Sequence, residues 1–253
     1  MNVTVSSKEF QTFISSILNV DRSGVSLKIY PEFIEALVLS EDNSSVILYT
    51  KLNILSINDF DKEELVIHIK DLTKFQKLLD MNNSETFTFS VNDSHVYFES
   101  DMVKGAKFML SDRPSKIVNA RVNVQWFNSF EKTSRMKISK ATIKSIIQCS
   151  SFTSSDANKV YVYQDGNKVV AEINDRTKNN LDNMSIYIGE IEEGQMEGKV
   201  ILNVNTLSRL FLADEMTLET SFIGQGVSRT EIVFLSFTND NVSVRYLLNT
   251  LRS

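Results

Sequence analysis

Val5-Ser6-Ser7-Lys8-Glu9-Phe10-Gln11-Thr12-Phe13-Ile14 and Ile138-Ser139-Lys140-Ala141-Thr142-Ile143-Lys144-Ser145-Ile146-Ile147 read as one strand-then-helix unit written twice. Apolar positions coincide at Val5/Ile138, Phe10/Ile143, Phe13/Ile146 and Ile14/Ile147, an offset of 138 − 5 = 133. A second pair, Ile67-His68-Ile69-Lys70-Asp71-Leu72-Thr73-Lys74-Phe75 and Leu202-Asn203-Val204-Asn205-Thr206-Leu207-Ser208-Arg209-Leu210, aligns at 204 − 69 = 135. Distant matches that agree to within two residues indicate a duplicated domain, and a duplication sets architecture before any chemistry is considered.

The whole chain fits that reading. Its 253 residues divide into two domains of about 125, each long enough to bury its own core. We place domain 1 over 1–111, a connector over 112–134 and domain 2 over 135–253. An apolar fraction of 42% with 23% charged residues is that of a soluble globular protein. No stretch approaches the roughly 20 apolar residues that span a bilayer. The polar start, Met1 to Glu9, enters the first unit directly, so no signal or transit peptide is expected. The single cysteine, Cys149, cannot form an intrachain disulfide, which suits the cytoplasm; on the third helix it reads as a small buried hydrophobe. A net charge of −5 argues against a surface that grips nucleic acid everywhere but leaves room for a local basic face.

Period-two alternation dominates the pattern. Strands are expected over 25–29, 34–39, 46–52, 65–69, 86–91, 95–100 and 106–110. The second half repeats the series at 135–138, 160–164, 169–173, 185–191, 200–204, 216–222, 231–237 and 242–248. With glycine and proline scarce (8 and 2), turns fall to Asn, Asp and Ser, as at Asn92-Asp93-Ser94 and Asn239-Asp240-Asn241. Four segments carry helical spacing, on Phe10/Phe13/Ile14/Ile17, Leu72/Phe75/Leu78/Leu79, Ile143/Ile146/Ile147 and Leu207/Leu210/Phe211. Ser6 or Ser7, Asp71, Ser139, and Asn205 or Thr206 stand where a side chain can cap each helix. A helix with one apolar stripe lies on a sheet and turns its polar face to solvent or ligand. The class is therefore α+β, each half placing two amphipathic helices on antiparallel sheets.

Catalytic templates find no support. The only histidines, His68 and His95, both sit in strand patterns, and neither a glycine-rich phosphate loop nor a Cys-x-x-Cys pair occurs. Acidic groups at Asp59/Asp61/Glu63/Glu64 and Glu190/Glu192/Glu193/Glu197 read as solvated loop or rim. We expect no enzyme, cofactor or metal. What remains is the polar side of the helices: Lys8 on the first, Lys74 and Lys77 on the second, Lys140 and Lys144 on the third, and Arg209 on the fourth. At an offset of 135, Arg209 falls on Lys74. Lys132, Arg135 and Lys137 add charge just before the third helix. An acidic chain that repeats basic residues on helix faces can build a phosphate-facing surface.

Two tandem domains of this kind resemble a DNA sliding clamp, and more narrowly the trimeric clamps of T-even-like tailed phages. The resemblance is clearest from Val66 to Leu79 leading into Val91-Asn92-Asp93, from Lys107 to Ser115, and from Ile138 to Asp165. A first helix poor in basic residues, and long loops at 53–64 and 175–183, depart from it. The resemblance implies two tandem sliding-clamp domains and three subunits closing head to tail into a ring around double-stranded DNA. Edge strands near 106–110 and 185–191 would pair between subunits. Lys8, Lys74, Lys77, Arg135, Lys137, Lys140, Lys144 and Arg209 would face DNA without reading its sequence. It further implies a DNA polymerase tethered for processive synthesis, an ATP-driven clamp loader, and a peptide pocket near Ile117, Val118, Trp126 and Phe127, with no membrane partner. Each pocket residue reads equally as plain packing of the connector.

Two other readings stay open. A monomeric single-stranded-DNA-binding protein needs exposed aromatics interleaved with basic residues, whereas the aromatics here alternate into strand interiors or join helix stripes. A viral structural β-protein would share the Asn- and Ser-rich turns but has no need of basic helix faces.

Overall fold

Alternation in the sequence becomes alternation in burial. In β3 (Phe33–Leu39), Ile34, Ala36 and Val38 are buried between half-exposed neighbours, because successive side chains of a strand point to opposite faces. The structure, a computed structural model, describes residues 1–40, 45–100, 103–114, 122–153, 158–173, 183–224 and 230–250, with backbone alone at 152 and 153. It divides into two compact units: Met1–Asn43 with Ile47–Phe127 and Thr238–Val244, and Ser44–Val46 with Asn128–Phe237 and Arg245–Ser253.

The first unit contains β1 (Asn2–Ser6), α1 (Ser7–Leu18), β2 (Val25–Ile29), β3, β4 (Val46–Asn53) and β5 (Ser56–Asn58). It continues with β6 (Leu65–Ile69), α2 (Leu72–Asp80), β7 (Thr86–Val91), β8 (His95–Phe98) and β9 (Ala106–Met109). One antiparallel sheet runs β5-β1-β7-β8-β9, and β4-β3-β2-β6 form the other run. The core under α1 and α2 is aromatic. Phe10 lies 6.2 Å from Phe13, 6.1 Å from Phe75 and 5.7 Å from Phe89, and Phe75 meets Phe108 edge-on at 5.3 Å. Burying side chains of this size contributes about 1.5–3 kcal/mol each.

A short helix not expected from the sequence, α3 (Val124–Asn128), follows in the connector. The Asn123 side chain starts it by accepting the Trp126 amide at 2.9 Å. The second unit then holds β10 (Lys132–Ser139), α4 (Lys140–Thr153), β11 (Lys159–Asp165), β12 (Lys168–Ile173) and β13 (Met184–Gly194). After these come β14 (Val200–Asn203), α5 (Val204–Leu210), β15 (Glu215–Ile223), β16 (Thr230–Thr238) and β17 (Val242–Asn249), of which Thr238 and Val242–Val244 are counted with the first unit. Its sheet runs β14-β11-β12-β13-β10-β15-β16-β17. Its core is mainly aliphatic, with Ile138, Ile143, Ile146, Val160 and Leu207 buried.

Three expectations need correction. Cys149 is half-buried on α4 and not a core residue. The three-residue strand β5 was not foreseen, since so short a run shows no alternation. The cap of α5 is Asn203, whose side chain accepts the Thr206 amide at 3.0 Å, in place of Asn205 or Thr206.

Candidate nucleic-acid interface

Each unit sets its two helices side by side. In the first, α1 and α2 meet through Phe10 and Phe75, and Gln76 Nε2 donates to Ser15 Oγ at 3.4 Å. In α2, Leu72, Phe75 and Leu79 are buried, which turns Lys74 and Lys77 outward. In the second unit, α4 packs beside α5 and over β10, β12 and β13. Burial of Ile143 and Ile146 leaves Lys140 and Lys144 exposed, and burial of Val204, Leu207 and Leu210 leaves Arg209 exposed. Lys8, at the start of α1, is exposed as well. Among the described residues none of these six cations is ion-paired. The remainder of the non-core side of α1 carries no further cation: Gln11, Thr12 and Ser15 are half-buried, as is the acidic Glu9 beside Lys8.

The caps fix which positions correspond. Asp71 accepts the Lys74 amide at 2.8 Å, and Asn203 does the same for Thr206. The helix offset is thus 203 − 71 = 132, not 135, and Arg209 corresponds to Lys77 (209 − 77 = 132). The sequence alignment slipped because moving along a helix by three residues nearly preserves an apolar stripe. In addition, β14 runs straight into α5, whereas Lys70 and Asp71 separate β6 from α2. The first pair keeps its offset of 133: Ser139 Oγ accepts the Thr142 amide at 3.0 Å, and Ser6 precedes α1 with its hydroxyl bonded to Glu9.

Arg135 and Lys137 do not join the helix cations. They lie on β10, where Met136 and Ile138 turn into the core under α4, so the alternate residues Arg135 and Lys137 point from the opposite face. Both are also engaged. Lys137 Nζ lies 3.1 Å from Glu215, which holds its amine above the usual range, and Arg135 lies 3.9 Å from Glu193. Lys132 is more deeply set. Its Nζ lies 3.2 Å over the Phe234 ring and 3.7 Å from Glu219, and burial with nearby Arg245 brings its pKa down to about 8.

Of the four pocket candidates, Ile117 and Val118 lie outside the described residues. Phe127 is fully buried in the first unit, 6.0 Å from the Tyr49 ring, and Trp126 beside it is half-buried. His68 is held by Ser26 Oγ at 2.8 Å, and His95 by Ser94 Oγ at 3.1 Å. Among the described residues no three His, Cys, Asp or Glu side chains are grouped to hold a metal ion, and no helix is long and apolar enough to cross a membrane.

Strand edges are open in both units. β9 pairs with β8 alone, and Met184–Ile188 of β13 pairs with β12 alone, among the described residues. The exposed side chains there include Met109, 59% exposed, and Tyr187, 64% exposed.

No protein-family model and no curated protein matches the sequence. Solved structures match over the full length. A. fulgidus PCNA, bound to the C-terminal region of FEN-1, superposes with a TM-score of 0.73 at 14% identity, covering 100% of this chain and 98% of that one. Proliferating Cellular Nuclear Antigen from Entamoeba histolytica gives 0.73 at 12% identity over 99% and 98% of the two chains. PCNA from Thermococcus kodakaraensis gives 0.72 at 14% identity over 99% of each. These likenesses establish the sliding-clamp fold.

Proposed function

We propose that this protein is a ring-forming DNA sliding clamp of the kind carried by T-even-like tailed phages, with domains over 1–111 and 135–253 joined by a connector over 112–134. Three chains close head to tail, β9 of one adding to the free edge of β13 in the next; heterologous contacts that close give such a ring. The carrying observation is the set of unpaired cations, Lys8, Lys74, Lys77, Lys140, Lys144 and Arg209, on the outward faces of helices in a clamp fold. Attraction of this kind, screened by salt and blind to base identity, holds duplex DNA while letting the ring slide.

The ring tethers the replicative DNA polymerase and is opened by an ATP-driven clamp loader. The connector offers the docking segment: Phe127 anchors it to the body, and Trp126 stands beside the exposed Gln125. The protein's part is positional, with no bond made or broken. Retention on nicked circular DNA tests the reading. Charge reversal at Lys74, Lys77, Lys140 and Lys144 is expected to abolish retention while leaving a three-chain mass in solution. Undiminished retention, or a strict monomer at micromolar concentration, refutes it.

A further inference from the structure

Among the described residues β6 pairs on one side only, with β2, from Val25↔Ile69 to Ile29↔Leu65, and one bond reaches its far edge: the Ser111 amide donates to the His68 carbonyl at 2.9 Å. In a strand, the N–H and C=O of one residue point to the same side, and the sides alternate along the chain. The main-chain groups of Val66 therefore point as those of His68 do, away from β2, and no described residue bonds them. They face a cavity of about 550 Å³ within the first unit, lined by Phe60, Leu65, Ile67 and Leu110 and, on its polar side, by His68, Asn92 and Ser111. Val66 itself is 40% exposed. Around the rim stand Asp59, Asp61 and Asp93, all exposed, against one lysine, Lys62.

An unpaired edge beside a cavity of this size is a template for strand addition: main-chain bonds supply affinity and the pocket selects a side chain. We propose that this edge docks an extended segment of a partner protein. The segment adds one strand to β6 across Val66 and places an apolar side chain in the cavity. Its flanking Lys or Arg residues face Asp59, Asp61 and Asp93, a charge match that orients the strand and excludes acidic segments. The site lies inside one unit and does not depend on ring closure or on DNA.

The test titrates the full chain with a fluorescent, end-capped Lys-Val-Lys-Phe-Lys-Val-Lys peptide, read by anisotropy. Saturable binding is expected, weakened at least about tenfold by N-methylation of one of the two alternate sets of amides, the set that bonds β6. The same peptide with Glu for Lys is expected not to bind. Val66→Pro removes only an outward donor, so it is expected to weaken binding comparably without unpairing β2. The surface double variant Asp61→Lys with Asp93→Lys gives a second reading should proline disturb the strand. Absence of saturable binding at millimolar peptide, indifference to both N-methylated sets, or unchanged affinity in the double variant overturns the proposal. A change in solution mass on Val66→Pro with peptide affinity unaltered also overturns it, because the edge would then pair copies of this chain.

Discussion

Lys77 and Arg209 are structural counterparts, each the sixth residue after the side chain that caps its helix, Asp71 in one unit and Asn203 in the other. Both are exposed, and Lys74 has as its own counterpart the neutral Thr206. The repeat thus conserves one outward cation per second helix and adds another in the first unit alone.

That correspondence has a measurable consequence for DNA retention. Lys77→Glu and Arg209→Glu are expected to shorten the lifetime on circular DNA by similar factors, each more so at low salt. Their combination adds on a free-energy scale if the sites are independent. A large effect from one and none from the other would break the equivalence.

The two caps are separately testable. Asp71→Ala and Asn203→Ala each remove an acceptor for a first-turn amide, and each is expected to cost about 1 kcal/mol in denaturant unfolding. Asn205→Ala, at the position favoured by sequence, is expected to change stability by less than about 0.5 kcal/mol.

Position on β10 separates two classes of basic residue. Arg135→Gln and Lys137→Gln, which lose ion pairs with Glu193 and Glu215 on the face away from α4, are expected to leave DNA retention close to the parent level. Exposed pairs of this sort are screened by solvent and contribute little, so stability is expected to move little. Loss of retention comparable to Lys140→Gln or Lys144→Gln would place these residues on the DNA path.

Much of the architecture was legible because burial follows periodicity. The stripe Phe10/Phe13/Ile14/Ile17 and the alternation in β3 both survive unchanged in the folded chain. Sequence proximity to α4 groups Arg135 and Lys137 with the helix cations but says nothing about which side of β10 they take, and the burial of Met136 and Ile138 decides that. The register of α5 was lost because Leu207 and Leu210 fit two helical alignments, whereas a cap fits one. The carboxylate partners of Lys137 and Arg135 come from β15 and β13, more than fifty residues away, and strand pairing alone brings them together.

Gly194 marks where β13 turns beside β10. Its φ is 72°, and an added Cβ would lie 2.0 Å from the Thr133 carbonyl oxygen, which also accepts the Gln195 amide at 2.8 Å. Gly194→Ala is expected to cost more than about 2 kcal/mol, through both the left-handed backbone and the clash. By contrast Gly166→Ala, at φ 63° with open space around it, carries only the backbone cost, expected at about 1 kcal/mol. Equal losses in the two variants would mean that the β10–β13 contact relaxes freely.

Lys132 gives the fold a predictable alkaline response. Burial and the Arg245 guanidinium disfavour its charged form, Glu219 and the Phe234 ring offset part of that, and the folded pKa falls to about 8. In the unfolded chain a lysine titrates near about 10.4. Below pH 8 both states carry the proton and the folded state bears the full penalty. Between the two values the unfolded chain binds more protons, so this group's contribution to stability rises with pH. Lys132→Met keeps the stem and removes the amine. It is expected to stabilise the protein by about 1 kcal/mol at pH 7, with the advantage over the parent shrinking as pH climbs from 8 to 10. Urea unfolding across that range measures it. A parent–variant difference that stays flat with pH would show that Lys132 holds its proton in the folded protein, and that Glu219 and Phe234 outweigh the burial of its amine.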